Sequence, residues 1–369
     1  MNFLILSLIK KYGYQAIHSK ILEDKSFKRM SSNDKNEVIN ELGLRCLSFD
    51  VNLAYKHLSF IKFKPEFGLL EYRRKFIEIY GMSDLGKSEA ISILKENNMH
   101  DEIIRFLSKT KFEDMYLFWT NALHSYIAIG NNEYARKSGE KIFHIILDRA
   151  KIATTLIEQS LKFSWEKVYL SYSLFGDKKN YRYGAIENCK RIKEINSDWI
   201  PIIYYSNEID DITLKTLEQH GAELIFGGKR IGYEALMWRY KPFYDKDNSL
   251  IMVRDCDSKI TQRECLLIDE WMRSDKPFHL MRDHLHHAEL IMAGMFSGHS
   301  DYFPRKINLL SSDYIYDRWL DQENLRKLYK EINNKCFVHD TFYKIEPWAL
   351  KPSLNSWSET EHIGARFYT

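Results

Sequence analysis

The sequence has few cysteines, and their pattern is not that of a disulfide framework. Five cysteines are scattered among 369 residues, and no two of them form a Cys-x-x-Cys pair. An odd number of isolated cysteines is typical of free thiols in a reducing compartment.

The chain also lacks a strong excess of either charge. Its 54 lysines and arginines are balanced by 51 aspartates and glutamates, which gives a net charge of +3. Proteins that bind nucleic acids usually carry a marked basic excess. The composition therefore gives no support for a nucleic-acid partner, although it leaves room for a local phosphate site.

A long apolar run at the N-terminus is missing as well. The opening residues, MNFLILSLIKKYG, form an apolar run that is too short to span a bilayer. Neither a basic n-region nor a small-residue cleavage site accompanies them. This pattern predicts an amphipathic first helix and a cytoplasmic protein.

The hydrophobic patterns divide the chain into two halves, which agrees with the roughly two domains expected from its length. Within residues 1–163, the segments KSEAISILKENN and HDEIIRFLSKT repeat apolar residues at helical spacing. The segment FWTNALHSYIAIGNNEYARKSGEKIF is close to the pattern of a tetratricopeptide helix pair, in which small residues allow two helices to pack tightly. We predict an α-helical bundle or short solenoid of such hairpins.

Residues 164–369 have a different periodicity. Short apolar runs alternate with helical segments, and the runs occupy residues 168–176, 199–207, 222–228, 249–255 and 276–283. Strands that alternate with helices predict βαβ units and a largely parallel sheet. Ligands of such sheets collect at the carboxyl ends of the strands.

Two aspartates follow one of these runs directly. After LIMV come Arg254, Asp255, Cys256 and Asp257. In an extended segment, residues two apart point to the same side, so both carboxylates can face one point. Hard divalent ions such as Mg²⁺ take oxygen ligands, commonly one or two carboxylates together with substrate phosphates.

An Asp-x-Asp motif at the end of a central strand resembles the metal site of GT-A glycosyltransferases, which use nucleotide-sugar donors. Further blocks occur in an order similar to that of bacterial glycosyltransferases from capsule and lipopolysaccharide loci: MWRYKPFYD, VRDCDSKITQRE, FHLMRDHLHHAELIMAGMFSG, LDQENL, CFVHDTFY and EHIGARF. The resemblance covers residues 166–369. It implies an α/β GT-A domain with a mixed, mostly parallel sheet, a Mn²⁺ or Mg²⁺ ion, a nucleotide-sugar donor and a glycan or polysaccharide acceptor.

The resemblance also implies roles for particular residues. The metal ligands would be Asp255, Asp257 and His339, with His362 as the competing third ligand. The donor would be bound by Arg182, Arg239, Arg254 and Asp255. Asp283 would act at the acceptor as a general base, with Glu289 as its competitor.

Asp321 and Gln322 resemble a DQ motif whose side chains lie beneath the donor sugar. They are equally suited to capping the helix that follows them. The sequence does not distinguish an inverting reaction, which would use Asp283 as the base, from a retaining one supported by Asp321 or Gln322.

Two alternative functions stay open. The cluster of His284, His286 and His287 has residue types that bind transition metals, which would suit a metal hydrolase. A catalytically inactive scaffold, with the helical half as its working part, is the other. If the protein is the glycosyltransferase, we expect the helical half to bind an acceptor, an assembly enzyme or the inner membrane, the last as a peripheral contact.

Overall fold

The computed structural model describes residues 2–49, 84–96, 98–152, 163–230, 233–310, 320–355 and 357–367. The chain divides into two compact units, Met1–Ser125 and Tyr126–Thr369.

The described part of the first unit is helical. Its helices are α1 (Asn2–Lys20), α2 (Lys25–Lys28), α3 (Ser32–Phe49), α4 (Asp84–Glu96), α5 (His100–Lys109) and α6 (Met115–Ala128), the last of which ends inside the second unit. In α5, acidic Asp101 and Glu102 lie in the first turn and Lys109 in the last, which complements the helix dipole. Buried Ile103 and Leu107 share one face of that helix, as its spacing predicts.

The second unit is an α/β fold built on one seven-stranded sheet. Its strands are β1 (Lys167–Leu174), β2 (Trp199–Ser206), β3 (Glu223–Gly228), β4 (Ser249–Arg254), β5 (Phe278–Arg282), β6 (Met295–His299) and β7 (Cys336–Asp340). They are ordered β3-β2-β1-β4-β6-β5-β7. All neighbours pair in parallel except those of β6, which is antiparallel to both β4 and β5.

This sheet confirms the predicted mixed, mostly parallel architecture. The helices of the unit are α7 (Asn132–Ala150), α8 (Lys179–Ile195), α9 (Asp211–Gln219), α10 (Pro242–Asp245), α11 (Gln262–Met272) and α12 (Leu320–Ile332). A 3₁₀ helix, Glu234–Tyr240, precedes α10. No helix among the described residues has both the length and the hydropathy that a bilayer-spanning segment needs.

The central strand β4 is buried along its whole length, which is why it appears in the sequence as the continuous apolar run LIMV. Because β1, β4, β5 and β7 run in the same direction, their carboxyl ends lie at one edge of the sheet. That edge carries Asp255, Asp283 and Asp340.

Helix α7 belongs to the second unit, so the boundary between the compact units lies earlier than the predicted division at residues 163 and 164. The reason is tertiary packing. The ring of Phe143 lies 5.1 Å from that of Tyr343. A Cβ atom at Gly139 would overlap the same tyrosine ring, so the helix approaches it as closely as a glycine allows.

We therefore expect a chain beginning at Tyr126 to fold, and one beginning at Ile157 to be less stable. Removal of α7 removes the Phe143 ring that packs against Tyr343. Loss of one buried phenylalanine lowers the free energy of unfolding by at least about 3 kcal/mol. Urea denaturation of both chains measures the difference. Equal free energies of unfolding would show that α7 adds nothing to the second unit.

Candidate functional site

The backbone of the Asp-x-Asp motif turns away from β4 immediately after the strand. The N–H of Ser258 donates to the carbonyl oxygen of Asp255 at 3.2 Å. Burial, followed by the negative charge of Asp255, raises the pKa of Asp257. Two carboxylates that influence each other in this way form an electrostatic pair that favours a cation.

Helix α8 holds this turn in place from behind. Asn188 is fully buried, and its amide nitrogen donates to the carbonyl oxygens of Ser258 (2.8 Å) and Cys256 (3.3 Å). Its amide oxygen accepts from the N–H of Ile260 at 3.1 Å. Asn188 is not among the predicted site residues, although a polar residue within the buried face of an amphipathic helix is a signal that the sequence contains.

Arg239 joins the motif to the start of α12. Its guanidinium forms an ion pair with Asp255 and donates to Asp321 at 2.8 Å. Burial lowers the pKa of Arg239, but the negative charges of Asp255 and Asp321 outweigh this effect, so the pKa is raised overall. Arg239 is thus a permanent cation between two carboxylates that lie 66 residues apart in the chain.

The predicted DQ pair lies at the same place. Burial raises the pKa of Asp321, whereas the charge of Arg239 opposes the rise. The side-chain amide nitrogen of Gln322 donates to Ile291 O at 2.8 Å, and the amide oxygen accepts from the N–H of Ala293 at 3.3 Å. Gly294 leaves no room for a Cβ atom against the Asp255 carboxylate. Asp255, Arg239, Asp321 and Gln322 therefore belong to one site.

Arg254 is not available to a donor. Its side chain is buried, forms an ion pair with Glu264 and donates to the carbonyl oxygen of Val253 at 2.7 Å. The predicted donor-binding role of Arg254 is corrected to a structural one, because its donors are directed into the protein.

Asp283 is likewise engaged inside the protein. Arg263 donates two hydrogen bonds to its carboxylate, at 2.7 and 2.8 Å, while the Thr341 hydroxyl and the Ile363 N–H (3.0 Å) donate two more. A carboxylate that accepts four hydrogen bonds in a buried site has no lone pair left for a substrate proton. The predicted general base is instead a structural anion. Its competitor Glu289 pairs with Arg326 at 3.0 Å.

His339 is turned into the core, away from the role of third metal ligand. One ring nitrogen lies 2.9 Å from His279 and the other 3.0 Å from Glu270. Burial lowers the pKa of His339, and Glu270 opposes that effect. With both nitrogens bonded to other side chains, the ring has no ligand atom to offer Asp255 and Asp257.

The other competing histidine, His362, lies in a cluster of its own. Among the described residues, only His284, Glu359 and His362 bring three possible ligand atoms within 4.8 Å of one another. However, Nδ1 of His284 accepts the His286 N–H at 3.1 Å, which leaves the proton of the neutral ring on Nε2. That proton faces Glu359 at 3.1 Å. To bind a metal through Nε2, His284 would need its proton on Nδ1 instead. The arrangement therefore favours a hydrogen bond between His284 and Glu359 over a metal ion.

This pair opens onto a cavity of about 350 Å³. Apart from His284, Glu359 and Asn132, the residues that line the cavity are apolar, aromatic or glycine: Ile127, Gly130, Leu285, Phe342, Leu354 and Trp357. Because His284 follows the end of β5 by two residues, the cavity lies near the edge of the sheet that carries Asp255.

Arg182 lies at the carboxyl ends of β1 and β2. Its guanidinium donates to Asp210 at 2.8 Å and to the carbonyl oxygen of Gly176 at 3.3 Å. Nearby, Arg230 binds Glu208 with two hydrogen bonds of 2.8 and 2.9 Å. The structure thus places Arg182 at the predicted edge, but with its charge paired.

Buried neutral histidines should make the second unit sensitive to acid. Burial lowers the pKa of His279, His287 and His339, so the folded state stays unprotonated where the unfolded state takes up protons. Their contribution to stability is complete above pH 6.5 and is lost as the pH falls below it, by up to about 1.4 kcal/mol per pH unit for each group. Urea denaturation between pH 7.5 and 5.5 measures the loss.

His287→Asn provides the matched variant. The asparagine oxygen can replace Nδ1 as the acceptor of the Asp283 N–H, a bond of 2.9 Å, without titrating. The variant should lose less stability on acidification than the unsubstituted chain. An identical slope would show that His287 titrates normally in the folded state.

Comparison with known proteins adds nothing to this geometry: neither a protein-family model nor a curated protein matches the chain.

Proposed function

We propose that the protein is a metal-dependent glycosyltransferase that moves a sugar from a nucleotide-sugar donor to a surface polysaccharide of the capsule or lipopolysaccharide type. The observation that carries the proposal is the Arg239 bridge between Asp255 and Asp321. It joins the Asp-x-Asp and DQ motifs, which the resemblance to GT-A enzymes assigns to metal and donor sugar. The mixed, mostly parallel sheet is compatible with that domain type.

The residues present fit a divalent ion at Asp255 and Asp257. Both are carboxylates, the ligand type that Mg²⁺ and Mn²⁺ prefer beside phosphate oxygens. Burial and the negative charge of Asp255 raise the pKa of Asp257, so a cation bound beside it would stabilise its ionised form. A bound ion would neutralise charge on the departing nucleoside diphosphate.

The chain's own residues would orient the donor. Arg239 fixes the Asp255 carboxylate and keeps Asp321 in place beside it. Gln322 ties the start of α12 to the segment before β6, and Gly294 lets that segment approach the motif. Asp321 and Gln322 would then lie beneath the donor sugar, and we assign the acceptor to the cavity beside Trp357 and Glu359.

The two alternatives have less support. A metal hydrolase would use the histidine cluster, where the tautomer of His284 disfavours an ion. A scaffold would have no need of the arrangement in which buried Arg239 holds Asp255 beside buried Asp321. Burying charge is costly, and charged clusters of this kind are commonly functional.

We further propose a cytoplasmic location. The helical half would be a tetratricopeptide-like domain that contacts the acceptor, a membrane surface or another assembly enzyme.

Calorimetric titration tests the proposal. UDP, GDP, CDP and ADP are each added to the full chain with and without Mn²⁺, and we expect one of them to bind only when Mn²⁺ is present. A panel of nucleotide sugars, assayed by released nucleotide, then identifies the donor. Binding of none of the four, or equal binding without the ion, would contradict the function.

A further inference from the structure

The two carboxylates of the Asp-x-Asp motif have different counter-ions. Asp255 pairs with Arg239, whose side chain is only 3% exposed and also holds Asp321. Asp257 faces Arg366 at 3.4 Å, and the side chain of that arginine is 66% exposed. One cation is built into the protein, and the other reaches the motif from its surface.

The backbone that carries Arg366 is fixed to the motif. Residues on either side of it form hydrogen bonds with the segment that follows β4: the Lys259 N–H donates to Ala365 O at 2.8 Å, and the Phe367 N–H donates to Asp257 O at 3.2 Å. The ring of Phe367 also lies beneath the guanidinium of Arg191, 5.7 Å from its centroid. Arg366 is therefore anchored by its main chain beside Asp257, while its long side chain extends into solvent.

A divalent ion and Arg366 compete for the same carboxylate. Two cations repel each other at such short range. The Arg366 side chain is largely exposed and makes a single contact of 3.4 Å with Asp257, so an ion that binds Asp257 displaces the guanidinium easily. Arg239 cannot respond in the same way, because its departure would leave the buried Asp321 without a counter-charge.

We propose that Arg366 is a displaceable counter-ion, which pairs with Asp257 until the metal ion binds and then binds the diphosphate of the donor. The inference rests on the proposed function and adds to it a residue for the diphosphate. A guanidinium suits that ligand because its planar fork donates paired hydrogen bonds to phosphate oxygens. Anchoring of the main chain keeps the side chain within reach of both positions.

The exchange predicts effects of opposite sign in one variant. Arg366→Gln should bind Mn²⁺ alone several-fold more tightly than the unsubstituted chain, because the competing cation is gone. The same variant should bind inorganic pyrophosphate in the presence of Mn²⁺ about tenfold more weakly, because charge-assisted hydrogen bonds are lost. Arg366→Lys should bind pyrophosphate with intermediate strength, since it keeps the charge without the fork. Calorimetry of the full chain gives all three results.

Lys259→Gln is the matched control. Lys259 lies two residues after Asp257, and its side chain pairs with Glu361 instead of the motif carboxylates. It should change neither affinity by more than about twofold, which separates exchange at Asp257 from a general effect of net charge.

Two results would overturn the inference: unchanged or weaker Mn²⁺ binding by Arg366→Gln, or unchanged pyrophosphate binding. Failure of the unsubstituted chain to bind Mn²⁺ would refute the proposed function itself, and the exchange with it. Thermal melting of each variant verifies that the fold is intact.

Discussion

Replacing either aspartate of the motif with asparagine should abolish Mn²⁺-dependent nucleotide binding, although the two variants should differ in stability. Each change removes one ligand charge at constant size, and we expect turnover to fall by at least about 100-fold. Asp255→Asn should also lose about 1–3 kcal/mol of unfolding free energy, because buried Arg239 loses one of its two anionic partners.

Asp257→Asn should be as stable as the unsubstituted chain or more stable. The raised pKa of Asp257 means that burial and the charge of Asp255 make its ionised form unfavourable in the folded state. Removing that charge relieves the repulsion. We therefore expect both variants to be inactive although their stabilities differ. That result would attribute the loss of function to the missing metal ligand and not to misfolding.

Asp247→Asn is the control for this pair, because it makes the same chemical change at a side chain that is 92% exposed. It should leave stability and binding unaltered. Full Mn²⁺-dependent turnover in both Asp255→Asn and Asp257→Asn would refute the metal site.

Asp283→Asn should destabilise the second unit by roughly 3–5 kcal/mol, the usual result of breaking a buried ion pair. The asparagine cannot accept both hydrogen bonds from Arg263, whose charge then stays buried without compensation. Urea denaturation measures the loss, and activity is compared per folded molecule.

The double variant Asp283→Asn/Arg263→Met separates structure from catalysis. Removing both charges of a buried pair together is often close to neutral, so much of the stability should return. If Asp283 is structural, turnover should return with it. A stable double variant without activity would restore Asp283 to the role of general base.

The strands of the α/β unit could be predicted because their apolar runs are continuous, as in β4, where the sequence LIMV matches a strand buried on both faces. The antiparallel strand β6 was missed. Its residues MFSGH mix small and polar side chains. A Cβ atom at Gly298 would overlap the ring of Phe278, so only glycine fits at that position. That requirement comes from a neighbouring strand and is invisible in a local pattern.

The site shows the same limit. Asp255, Asp283 and His339 all lie at or near carboxyl ends of parallel strands, so the sequence makes them equal candidates. What separates them is the partner that folding brings from elsewhere: Arg239 bridges Asp255 to Asp321, Arg263 saturates Asp283, and Glu270 binds His339. Such pairings depend on three-dimensional packing, which one sequence does not disclose.

A crystal structure of the full chain with Mn²⁺ and the nucleoside diphosphate that calorimetry selects tests the central claim most directly. Anomalous scattering locates the ion without reference to the surrounding model. We predict a single Mn²⁺ coordinated by Asp255 and Asp257 together with diphosphate oxygens, with His339 still bonded to Glu270. An ion coordinated instead by His284, Glu359 and His362, or a diphosphate bound away from Asp255, would contradict the account.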